Sequence, residues 1–188
     1  MSSPGGKRLT LWSIAPQVMT MPTLGWENAL QRGPRPEIAV LRFLLPLSLL
    51  SAGSEFFSML YQVQLNFTTV LVSSVITFCS FFLGYYLALV FAKIFLPKDA
   101  RDFPSTSYGK LMTMIGIGTL AFFHILMMAL PMFDFIIEFF PLWTIFIIFR
   151  GMKMVVVSAE KQMISLAVMC MVIICSPVLV EWFLSIFV

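Results

Sequence analysis

"FTTVLVSSVITFCSFFLGYYLALVFAKIFL", from Phe67 to Leu96, carries one charge, Lys93, close to its end. A helix that is apolar on every side must lie either in the core of a large protein or in a membrane. The chain has 188 residues, too few to wrap such a helix in a water-soluble core. It is also 60% hydrophobic and only 11% charged, where soluble domains carry about 25% charged residues. The solvent for this stretch is therefore lipid.

Working outward from it, four more apolar stretches reach the roughly 20 residues that a spanning helix needs. They cover about 38–57, 110–130, 135–157 and 163–187, beside 67–96 itself. The 67–96 stretch is longer than a bilayer requires, so it tilts or projects, with Lys93 snorkelling to the headgroups. The expected fold is all-α: a polytopic membrane protein with a five-transmembrane-helix bundle over residues 38–188. A cytosolic N-terminal tail, residues 1–37, precedes it. Pro16 and Pro22 interrupt any continuous apolar segment in that tail, so no secretory signal is expected there.

The connections alternate in charge. Lys7, Arg8, Arg32, Arg35 and Arg42 come before or at the start of the first span. Lys93, Lys98, Arg101 and Lys110 surround the second connection, and Arg150, Lys153 and Lys161 the fourth. The first and third connections have no Lys or Arg. Translocation disfavours these residues, so the basic side is expected in the cytosol, with the C-terminus outside. Asp134 and Glu138, in "ALPMFDFIIEFFPL", then fall on the external side, where Pro131 and Pro141 bracket them.

The tail contains "MPTLGWENALQRGPRP", Met21 to Pro36. Leu24, Trp26 and Leu30 can form a short interfacial amphipathic segment, and Leu9, Leu11, Trp12 and Ile14 a second apolar patch beside Lys7 and Arg8. Trp favours the headgroup level, and Lys and Arg attract anionic lipid. Trp12, Trp26, Glu27, Lys7, Arg8, Arg32 and Arg35 are thus the candidate surface for a partner protein or for lipid.

Pro22, Trp26 and Glu27, followed by Pro46 in "VLRFLLPLSLL" and by Tyr108 to Leu111 ahead of the third span, resemble the bacterial branch of the Yip-domain family, the Ypt/Rab-interacting integral membrane proteins. The resemblance runs from about Thr20 to the end. The chain differs from the eukaryotic members in lacking their Asp-Leu-Tyr-Gly-Pro motif. The resemblance implies five membrane helices, a bacterial cytoplasmic membrane, and a non-enzymatic protein that organises a protein or lipid partner at the cytoplasmic face. Besides the bilayer, the expected partners are a membrane or cytosolic protein or a second copy of the chain, and no nucleic acid.

A second function is legible in the titratable residues. Glu55, His124, Asp134, Glu138 and Glu181 all fall toward the external side of the expected topology. Ionisable groups inside a membrane domain usually mark ion or proton pathways, and His with carboxylates can ligate a divalent metal. Their spacing matches no metal motif, and each also reads as a helix end at the interface. The alternative function is accordingly a small transporter or ion pathway. Gly116 and Gly118 read as packing residues or a hinge, and Pro46 and Pro177 as kinks. Cys79, Cys170 and Cys175 lie in apolar runs as filler. No phosphate loop, nucleophile elbow or dinucleotide fingerprint is present, so neither enzymatic activity nor a cofactor is expected. Asn66-Phe67-Thr68 fits a glycosylation acceptor too close to the membrane to be used.

Overall fold

The structure, a computed structural model, describes residues 9–61, 66–133, 139–154 and 159–187. Those residues are all-helical, with no strand among them. Seven helices carry the fold: α1 (Leu11–Thr20), α2 (Pro22–Arg32), α3 (Pro36–Tyr61), α4 (Phe67–Phe95), α5 (Ser107–Ala129), α6 (Phe140–Met152) and α7 (Ala159–Ser185). Four of them, α3, α4, α5 and the Met163–Ser185 part of α7, are long and apolar enough to cross a membrane. At 1.5 Å per residue the 13 residues of α6 cover only about 20 Å, short of a hydrocarbon core of about 30 Å. The ends of the expected 135–157 span lie partly outside the described residues.

The helices begin and end where local chemistry dictates. Asn66, read above as part of an acceptor motif, caps α4: its side chain accepts from the Thr68 N–H. Thr106 caps α5 by accepting from the Gly109 N–H at 3.0 Å. Pro22 opens α2 at its first turn. In α3, Pro46 has no N–H to give the Arg42 carbonyl, and a π-helical turn occupies Val40–Leu44 just before it. The Arg42 carbonyl instead accepts from the Trp12 indole N–H at 2.7 Å.

Packing reverses the usual order of inside and outside. On α4 most of the buried stripe is small or polar, Ser74, Thr77, Ser80, Gly84, Ala88 and Ala92, with Val70, Phe81 and Tyr85 filling in between. The large apolar residues Leu71, Val75, Leu83, Val90 and Ile94 point outward. Such a continuous apolar exterior is stable only against lipid, which identifies an integral membrane protein. Small residues let the helices close up: a side chain at Gly84 would meet the Pro177 backbone of α7 at 3.1 Å. Gly118 faces Phe43 of α3, and Gly116 faces Ile173 of α7. The pair expected as packing or hinge sits in two tight helix contacts.

Residues 9–32 pack onto the long helices. α1 and α2 make a helical hairpin, closed at its base by the Leu9 N–H to Arg32 carbonyl bond (2.9 Å) and tied across by Asn28 to Gln17 (2.8 Å). Leu11, Ile14, Ala15, Val18, Trp26 and Ala29 join the same hydrophobic core as the long helices. The hairpin base adjoins the start of α5, where Gly33 meets Leu111. Its tip reaches Trp143, whose indole N–H donates to the Met19 carbonyl at 3.2 Å. That point is roughly 13 Å along α6 from Met152. The hairpin therefore runs alongside the bundle, where a short interfacial amphipathic segment was expected.

The bundle has two chemically distinct ends. Glu37 pairs with Lys110 at 3.6 Å, and the Tyr108 hydroxyl donates to the Gly151 carbonyl at 3.0 Å, so the starts of α3 and α5 and the end of α6 meet. Arg150 and Lys153 lie over the Phe146 and Phe149 rings there, at 5.2 and 4.4 Å. At the other end the Tyr61 hydroxyl donates to the Ala129 carbonyl.

Candidate functional site

Three helices place polar side chains at one point inside the bundle. Glu55 lies near the end of α3, in a tight turn over Glu55–Phe57, with the Ser58 hydroxyl donating to its carbonyl. It is 9% exposed, on a stretch of α3 otherwise made of apolar residues, glycine and serines. Its Oε1 is 2.9 Å from His124 Nε2 of α5 and accepts from the Thr77 hydroxyl of α4 at 2.7 Å. The Phe81 ring meets the imidazole edge-on, with centroids 5.7 Å apart.

This arrangement solves an energetic problem. A bare carboxylate in a membrane domain is expensive, and so is a bare imidazolium. In contact each gives the other a hydrogen-bond partner, and the Thr77 hydroxyl also donates to the carboxylate. The pair joins helices that are separated by 69 residues in sequence.

A cavity of about 320 Å³ opens beside the pair, between α4, α5, α6 and α7. His124, Thr77, Ser80, Met127, Pro177 and Glu181 lie on its wall. Glu181, an exposed residue of α7, thus shares a cavity with His124. Toward the basic end, Ser51 and Ser48 follow Glu55 along α3 at helical spacing. Both are fully buried, and neither hydroxyl has a hydrogen-bond partner among the described residues. Unsatisfied buried hydroxyls are where ordered water is expected.

Of the five titratable residues singled out in the sequence, the structure brings Glu55 and His124 into contact and puts Glu181 on the same cavity. Asp134 and Glu138 lie outside the described residues. No group of three or more His, Cys, Asp or Glu gathers among the described residues. Thr77, Ser48 and Ser51 were not singled out as site residues, although the 48–51–55 spacing already placed both serines on the face of Glu55.

The candidate partner surface is split. Trp26 is fully buried: its indole N–H donates to the Ile147 carbonyl at 2.9 Å, and its ring packs on Gly151 and, 5.6 Å between centroids, on Tyr108. It faces neither lipid nor partner. The reason is a close fit, since a side chain at Gly151 would lie 2.8 Å from Trp26 Cε2. Trp12 is half-exposed, with its ring edge-on to Phe43 at 5.2 Å. Glu27, Arg32 and Arg35 are exposed, and Lys7 and Arg8 lie outside the described residues. No family model, curated protein or solved structure matches the chain.

Proposed function

We propose that this protein handles protons within the membrane, with the Glu55–His124 pair as its working group and no enzymatic step. The observation that supports this best is a carboxylate and an imidazole in direct contact inside a membrane domain, one wall away from a cavity. Two titratable groups sharing one hydrogen bond can hold a proton at either atom. Thr77 orients the carboxylate, and the cavity with Glu181 supplies a route from one end of the bundle. Ser51 and Ser48 extend a hydroxyl-lined path toward the other end. We further infer five crossings, with α6 and its flanking residues as the fourth, the N-terminus in the cytosol and the C-terminus outside. The gathering of Lys and Arg at one end supports that orientation. A bacterial cytoplasmic membrane is the setting this reading assumes.

The test is proton flux. The full chain is reconstituted in liposomes holding a pH-sensitive dye, and a potassium gradient with valinomycin drives the flux. Wild-type protein is expected to dissipate the imposed gradient faster than empty liposomes, with Glu55→Gln and His124→Ala returning it to the empty rate. Correctly inserted wild-type protein that leaves the liposomes as tight as empty ones would remove the proposal.

A second reading, a protein that organises a partner at the cytoplasmic face, draws on the exposed Arg32, Arg35 and Glu27 at the hairpin. It is the function implied by the Yip-family resemblance. Arg32→Gln with Arg35→Gln should then abolish capture of a specific copurifying protein, while proton flux stays unchanged.

A further inference from the structure

A second cavity, larger than the one beside His124, lies on the other side of Phe123. A groove of about 870 Å³ runs between α1, α3, α5 and α6 and is walled almost wholly by apolar groups. Trp12, Pro16, Phe43, Phe122, Trp143 and Phe146 give it aromatic and ring-shaped sides. Toward the basic end a second recess, of about 490 Å³, shares Trp12 and Phe43 with the groove and adds Arg35 and Arg42. Both arginines are exposed, and neither has an acidic partner among the described residues. Glu37, the acid nearest them in sequence, is engaged by Lys110.

An apolar groove that continues into a cationic recess has the polarity of a phospholipid. For an apolar groove on a membrane domain the available occupant is an acyl chain. The recess carries two guanidinium groups with donors to spare, and basic pockets between membrane helices favour anionic headgroups. Trp12 sits at the junction with its indole N–H already committed to the Arg42 carbonyl, so its ring presents an apolar edge to the passage. We propose that the groove between α1, α3, α5 and α6 holds one acyl chain of an anionic glycerophospholipid whose phosphate rests on Arg35 and Arg42. The lipid fastens the α1–α2 hairpin to α3. Its selectivity resides in the two arginines, and its depth in the aromatic wall.

Tryptophan fluorescence reads this directly. Trp12 and Trp143 line the groove, Trp26 is buried, and Trp182 is exposed on α7. In a Trp182→Phe background, full-length protein is placed in phosphatidylcholine vesicles containing increasing fractions of either brominated-chain phosphatidylglycerol or brominated-chain phosphatidylcholine. Half-maximal quenching is expected at about thirtyfold lower fraction of the anionic lipid, since two basic groups contribute about 1 kcal/mol each. Arg35→Gln with Arg42→Gln should erase that preference. Both side chains are exposed, so the substitution leaves the core intact. Equal quenching by the two lipids overturns the proposal, as does a preference that survives the double substitution. Tryptophans shielded from both lipids in a cross-linkable dimer would overturn it too, by assigning the groove to a second copy of the chain.

Discussion

Replacing Trp26 with alanine should release the α1–α2 hairpin from the bundle. The side chain is fully buried, and its surroundings are closed by Gly151, Met112 and Tyr108. Truncating a buried Trp costs about 3–5 kcal/mol in water-soluble cores. Part of that figure is transfer from water, which is missing where the alternative environment is lipid, so the low end, about 3 kcal/mol, applies here. The hydrogen bond to the Ile147 carbonyl supplies about 1 kcal/mol of it and the edge-on contact with Tyr108 about 0.5–1.5. Loss of 3 kcal/mol raises the open population of the hairpin about a hundredfold. Amide hydrogen exchange in detergent micelles measures this: residues 11–32 should exchange about a hundred times faster in Trp26→Ala. Trp26→Phe, which loses mainly the hydrogen bond, should exchange about five times faster. If Trp26→Ala left exchange of the hairpin within about threefold of wild type, packing on Gly151 would not be what holds it, and the reasoning would fail.

Other perturbations probe the remaining contacts. Gly84→Leu should push α4 from α7, because its first side-chain carbon already meets the Pro177 backbone; a cost of about 1–3 kcal/mol should lower the thermal midpoint in detergent. Trp12→Phe should cost about 1 kcal/mol by removing the indole hydrogen bond to the Arg42 carbonyl. The same change should cost less in a Pro46→Ala background, where residue 46 regains an N–H to offer that carbonyl; additive losses would show that the proline does not free it. Glu55→Gln and His124→Ala should each destabilise the protein, and a double-mutant cycle should yield a coupling of about 0.5–3 kcal/mol. A coupling near zero would mean that the 2.9 Å contact carries no energy.

The lipid-facing character of the long helices was legible because it depends only on composition and length. Phe67 to Leu96 has no sequence-level alternative, and α4 begins at the Asn66 cap. Glu55, His124 and Glu181 were read toward one end of the bundle, and the structure gathers them around one pair and one cavity. Their contacts were not legible. Whether Glu55 meets His124 depends on how α3 and α5 rotate about their axes, and that rotation is set by Gly118 against Phe43, a contact between distant positions. The hairpin was misjudged for a different reason. Leu11, Ile14, Ala15 and Val18 recur at helical spacing and announce a buried face. Trp26 near polar neighbours resembled a headgroup anchor, and only the gap left by Gly151, 125 positions away, reveals that it is a core residue.

Difference infrared spectroscopy of the reconstituted protein bears most directly on the proposed proton exchange between Glu55 and His124. Acidification should produce a protonated-carboxyl band that is absent in Glu55→Gln and displaced in His124→Ala. A spectrum with no titrating band from Glu55, or one that His124→Ala leaves unmoved, would contradict it.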